Sequence, residues 1–200
     1  MNQEKIQSPI SVAALTGGVN TPSSRFRIRQ HIECLGKKGV TVQEYIPYFE
    51  KSGGWPSPLR AAARIPGIRR ARKADLVWLN KELVQGYPTF ERWLKRPRVL
   101  DADDAIWLSR PLGFLAGRCI AAAMDAVIAG NTYLANYFEK YCSEVHIVPT
   151  GIDLKRSYAY GNHQADLPLL ESVGYPHAVE PSKPLLKVAT AKNWPILAYR

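Results

Sequence analysis

A 200-residue chain with 46% hydrophobic residues can bury a core and is too apolar for a disordered tail. No apolar run approaches the roughly 18 residues that span a bilayer, and residues 1–8 are polar, without the apolar centre of a signal peptide. Three widely spaced cysteines, Cys34, Cys119 and Cys142, argue against a disulfide framework or a zinc site, so a cytoplasmic location is expected. The formal net charge of +10 predicts attraction to an anionic partner, a membrane leaflet or a phosphate-bearing acceptor, with the basic residues gathered in 25–38 and between Arg60 and Lys73. Solvated helix faces would account for the same clusters. Nucleic acid ranks last, because no helix-turn-helix, zinc or aromatic RNA-binding pattern is present.

In chain order, residues 10–16 form an apolar strand ended by Gly17-Gly18. A helix follows, capped by Ser23 or Ser24 and running to about Lys38, with Phe26, Ile32 and Leu35 turned inward. Strand, Gly-Gly and helix open a doubly wound α/β domain. A glycine pair there lets a ligand approach the backbone at a helix N-terminus, which favours negative charge; a tight turn alone would also explain it. The full G-x-G-x-x-G fingerprint is missing, so dinucleotide binding is poorly supported. Residues 40–46 form the second strand, and 47–58 an irregular loop with Tyr48, Phe49 and Trp55 half-exposed. Residues 59–73 give two short helices whose alanines and arginines would suit an anionic membrane surface.

Residues 75–79 form the third strand, 90–95 a short helix and 98–101 the fourth strand, ending in Asp101-Ala-Asp103-Asp104. Carboxylates at the carboxyl end of a parallel strand lie where open α/β sheets place ligands. Asp-x-Asp also suggests a divalent cation, since hard cations take oxygen ligands; a helix cap with an arginine partner is the bland reading. A helix of small residues spans 111–124. The stretch from Ala126 to Asp153 then gives a buried strand, an amphipathic helix capped at Asn131 or Thr132 with Leu134, Tyr137, Phe138 and Tyr141 on one face, a second buried strand over 144–148, and a Pro-Thr-Gly loop.

That last stretch, "VIAGNTYLANYFEKY…VHIVPTGID", resembles the end of the N-terminal domain of family 4 glycosyltransferases of the GT-B fold, and the resemblance covers residues 9–155. It implies an enzyme that moves a sugar from a nucleotide-sugar to a hydroxyl acceptor, lipid-linked or phosphate-bearing. It also implies that the loop after the first strand faces the cleft. Gly17, Gly18, Arg25 and Arg27 are then acceptor-binding candidates, since "Pro-Ser-Ser-Arg-Phe-Arg" resembles the segment following that loop. Asp103 and Asp104 become candidates to accept or orient the acceptor proton. GT-B transferases generally do without an Asp-x-Asp metal site, which sets the cation reading aside.

From Ser157 the chain resembles the C-terminal end of haloacid-dehalogenase-type phosphatases of the phosphoserine-phosphatase-like subgroup: a strand into Gly161-Asn162-x-x-x-Asp166, a helix, a strand, another helix and Asn193-Trp194-Pro195-Ile196-Leu197. There the carboxylates help bind Mg²⁺, which singles out Asp166. Asn162 stands where the first acidic residue is usual, and the Asp-x-Asp-x-Thr/Val nucleophile motif is missing, so no phospho-enzyme can form. The expectation is an α/β protein: a Rossmann-like doubly wound parallel sheet over 1–156 and a short βαβαβ tail over 157–200. Without a donor domain, the resemblance implies an acceptor-side half inactive alone, at the inner face of the membrane or free of it. A non-catalytic binding module and an incomplete Mg²⁺-dependent phosphatase are the alternatives.

Overall fold

The computed structural model describes residues 9–47, 57–151 and 154–198. The expectations for Tyr48, Phe49, Trp55, Ile152 and Asp153 lie outside those residues. The chain divides into two compact units, one ending at Thr150 and one spanning Gly151–Arg200. The sequence placed the break near Arg156. The short helical turn Leu154–Arg156 belongs to the second unit because Gly174 N–H donates to Leu154 O at 2.8 Å and Ser157 N–H does so at 3.2 Å. Gly174 lies so close to that turn that an added Cβ would stand 1.8 Å from the Lys155 carbonyl oxygen.

The first unit is a six-stranded sheet in the order β2-β1-β3-β4-β5-β6, parallel throughout. Its strands are β1 (Ile10–Leu15), β2 (Val40–Tyr45), β3 (Leu76–Asn80), β4 (Arg98–Ala102), β5 (Ala126–Ala129) and β6 (Val145–Ile147). The helices between them are α1 (Gln30–Lys37), α2 (Ser57–Ala62), α3 (Ile65–Ala71), α4 (Gly113–Ala123) and α5 (Thr132–Phe138). This is the Rossmann-like doubly wound architecture expected from strands that alternate with helical segments. Its core joins Leu15, Val77, Leu79, Leu100, Ile120, Val127 and Phe138, all nearly or wholly buried. Asn131 caps α5, its Oδ1 accepting from Leu134 N–H at 3.0 Å.

Two local expectations are corrected. The helix after β1 opens with a π-helical stretch, Ser24–Arg29, before α1. The wider π turn changes which side chains face the sheet, so Ser24, Arg27 and Ile28 are buried while Ile32 and Leu35 are only half-buried. The strand β6 was expected to be buried. It is the edge of the sheet, and His146 and Ile147 are exposed.

The second unit is a three-stranded parallel sheet, β7 (Tyr158–Gly161), β8 (Tyr175–Val179) and β9 (Ile196–Leu197), in sequential order. The helices α6 (Leu167–Ser172) and α7 (Lys183–Ala191) complete the expected βαβαβ. Ala159, Leu170, Ala178, Leu185 and Ala189 form its small core. The alternation along β7 leaves Tyr158 and Tyr160 exposed on the opposite face, with Tyr158 stacked on Tyr175 at 4.7 Å.

Candidate functional site

In the first unit β1 has β2 on one side and β3 on the other, and the chain builds outward from there in both directions. That reversal opens a crevice at the carboxyl ends of β1 and β3, where open α/β sheets bind ligands. A cleft of about 290 Å³ lies there, lined by Gly17, Ser23, Arg60, Asn80, Lys81 and Asp104 among others.

The loop after β1 is held in place. Arg29 donates to Gly18 O at 2.7 Å and also to Val19 O, while two of its nitrogens grip the Glu44 carboxylate at 2.7 and 2.8 Å. Thr16 Oγ1 donates to the same carboxylate at 2.5 Å. Gly18 sits at φ 154°, a backbone value that side chains rarely adopt. Gly17 lines the cleft and packs against Thr21, whose Oγ1 an added Cβ would approach to 3.0 Å.

The two arginines singled out by the sequence part company. Arg25 is exposed, its guanidinium 4.6 Å from the centre of the Phe26 ring. Arg27 is 5% exposed and committed to the protein. Its Nε donates to Asp101 Oδ1 at 2.6 Å, and its Nη1 to Val148 O at 2.9 Å and Thr150 Oγ1 at 3.0 Å. Trp78 Nε1 donates to the other Asp101 oxygen at 3.3 Å. Arg27 therefore ties the helix after β1 to β4 and to the residues following β6.

Asp103 and Asp104 meet on Lys81. The ammonium lies 3.1 Å from Asp103 Oδ1 and bonds Asp104 Oδ2. Burial works to lower the Lys81 pKa, but the carboxylates Asp104 and Asp103 more than offset it, and the pKa is raised above its ordinary value. Lys81 has a left-handed backbone, φ 63°, and its N–H donates to Asp101 O at 2.9 Å. Non-glycine residues hold that conformation only where the surroundings impose it. Among the remaining groups at the cleft, Arg64 donates to Thr16 O at 2.5 Å and Leu83 O at 2.7 Å, and burial pushes its pKa down to about 10. Burial also holds the Glu82 carboxyl above its ordinary pKa; it accepts from Gly86 N–H at 3.2 Å. Arg69, Arg70, Arg72 and Lys73, part of the expected membrane-facing cluster, are exposed, whereas Arg60 lines the cleft.

The sequence reading missed Asn80, and it took Ser23 or Ser24 for a helix cap, whereas neither hydroxyl makes a capping bond. Asn80 is 3% exposed, at the end of β3, and neither Oδ1 nor Nδ2 has a hydrogen-bond partner among the described residues. The Oγ atoms of Ser23 and Ser24, also buried, are likewise unpartnered. An unpaired buried polar group costs about 1–3 kcal/mol, so these side chains are expensive where they stand. An amide closing the apolar run Leu-Val-Trp-Leu-Asn was the available signal.

In the second unit Asp166 lies past the carboxyl end of β7 and is used locally. Its Oδ2 accepts Asn162 N–H at 2.9 Å and His163 N–H at 3.0 Å, and those bonds hold its pKa below the usual carboxylate value. Among the described residues no group of three or more His, Cys, Asp or Glu side chains could hold a metal ion. Asp166 beside the neutral Asn162 does not fit the Mg²⁺ site of the phosphatases it resembles. Among the described residues no helix is long and apolar enough to cross a membrane.

No protein-family model matches the chain. A 49-residue segment, 24% of the chain, is 53% identical to the "Inhibition of morphological differentiation protein" of Streptomyces azureus, covering 18% of that protein. A match of the same length is 41% identical to a Mycobacterium tuberculosis protein named "Probable phosphatase", covering 17% of it. The chain thus spans less than a fifth of the curated relatives it matches.

Proposed function

We propose that the first unit is the acceptor-binding half of a glycosyltransferase, holding a hydroxyl-bearing acceptor in the cleft at the switch point. The observation that carries this reading is the unpartnered Asn80 amide, with Ser23, at a cleft that also presents the Lys81–Asp103–Asp104 cluster. Asp104, its side chain 70% exposed, is the carboxylate that lines the cleft and can accept a hydrogen bond from an acceptor hydroxyl. Lys81 pairs with both carboxylates and holds them at the mouth of the β3–β4 ends. Nothing in the sequence after Asp153 resembles a domain that would bind the nucleotide-sugar, and an acceptor held without its donor gains little of the advantage of proximity. These 200 residues by themselves are thus expected to bind acceptor sugars without transferring a donor sugar.

Incubation with radiolabelled nucleotide-sugars and a panel of sugars and glycolipid headgroups, with binding followed in parallel by NMR, tests this. Acceptor binding without transfer, lost together with Lys81→Ala, is the expected result. Transfer by these residues alone would contradict the acceptor-only reading, and binding of neither class would leave only a scaffold module. A second reading, an incomplete phosphatase, is favoured by one observation: the matched segment is close in length to the Gly151–Arg200 unit, and one of the matched proteins is named a phosphatase. The poor fit of Asp166 and Asn162 to a metal supports no hydrolytic step by this chain.

A further inference from the structure

Resting on the acceptor-side reading, we infer that the cleft takes a neutral polyhydroxylated group, a vicinal pair of hydroxyls meeting the Asn80 amide with Ser23 alongside, in preference to a phosphate. The cations and anions at the cleft are largely spent within the protein. Lys81 is held by Asp103 and Asp104, Arg64 by the Thr16 and Leu83 carbonyls, and Glu82 by the Gly86 N–H. The unpartnered buried atoms that line the cleft are uncharged, one amide donor, one amide acceptor and the Ser23 hydroxyl; Asp103 Oδ1, which does not line it, has no hydrogen bond either but faces the Lys81 ammonium at 3.1 Å. An amide offers its donor and its acceptor side by side, and adjacent hydroxyls can each donate and accept, so a diol satisfies both ends. A phosphate presents anionic acceptor oxygens with only one or two P–OH groups, so it matches the Nδ2 end of Asn80 better than the Oδ1 end. Arg60 is the lining cation that favours the opposite outcome, since no acceptor holds it among the described residues.

The deciding experiment titrates the full chain with myo-inositol, methyl α-glucoside and inorganic phosphate, monitored by heteronuclear NMR, for wild type, Asn80→Leu, Ser23→Ala and Arg60→Ala. The expected result is saturable binding of a neutral polyol, weakened about 10- to 100-fold by Asn80→Leu and left alone by Arg60→Ala. The melting temperature of Asn80→Leu should equal or exceed that of wild type, because the substitution removes an unpaired buried amide; this separates lost recognition from lost folding. Polyol binding that Asn80→Leu and Ser23→Ala leave unchanged overturns the inference while the acceptor-side reading stands. Phosphate binding abolished by Arg60→Ala, with no polyol binding, replaces the neutral ligand by an anionic one and likewise spares that reading. Absence of binding by all three probes counts against both.

Discussion

At the scale of single residues, Arg27 and Asn80 contrast a buried polar group that is fully partnered with one that is not. Arg27 and Asp101 are 5% and 1% exposed and bonded to one another, so removing the cation strands a buried carboxylate. Arg27→Met should cost about 3–5 kcal/mol, a fall in melting temperature on the order of 10 °C. If calorimetry instead showed an unchanged melt together with lost acceptor binding, Arg27 would be a ligand contact and the clamp described above would be wrong. Asp166 gives a pH-dependent counterpart. Its folded pKa is depressed by backbone N–H groups, so its contribution is present above the unfolded carboxylate value and is lost as pH falls through the lower folded value. The protection factors of the Asn162 and His163 amides, corrected for the intrinsic pH dependence of exchange, should therefore fall on acidification through that range. In Asp166→Ala protection should be low already at pH 7, with no acid step.

At the scale of elements, local chemistry was legible at the cap of α5 and misread at Ser23 and Ser24, whose hydroxyls cap nothing. Asn131 both reads as a cap and caps, and Asn131→Ala should cost about 1 kcal/mol and lower the melt of the first unit by about 2–4 °C. A wild-type melting temperature for that variant would show that α5 is fixed by packing alone. The π-helical stretch Ser24–Arg29 was not legible, because it needs the sheet beneath it to select Arg27 and Ile28 rather than Phe26 as the inward side chains. The same holds for β6. Val145-His-Ile147 is apolar enough for an interior strand, but nothing within three residues tells an edge from a centre.

At the scale of the whole molecule, two cores imply two melting events. The second unit rests on a buried set of one leucine from each of its helices and three alanines among the described residues, a small core for independent stability. Differential scanning calorimetry should resolve a lower-melting transition belonging to Gly151–Arg200, shifted down by Leu170→Ala and unmoved by Leu100→Ala. Leu100→Ala should lower the upper one by the 2–5 kcal/mol typical of such cavities. A single transition moved by both substitutions would make the chain one cooperative body. The α/β class, the strand–helix alternation, the acidic end of β4 and a change of character near Arg156 all follow from the sequence by itself, because periodicity, capping and turn residues act over a few positions; the boundary at Thr150 does not. Sheet order and its reversal between β1 and β3, the burial of Arg27 against Asp101, and the gathering of Ser23, Asn80, Lys81 and Asp104 around one cleft were decided only by the tertiary structure. Those residues are separated by up to 81 positions of chain, and what brings them together is the burial of the strands between them rather than any signal of their own.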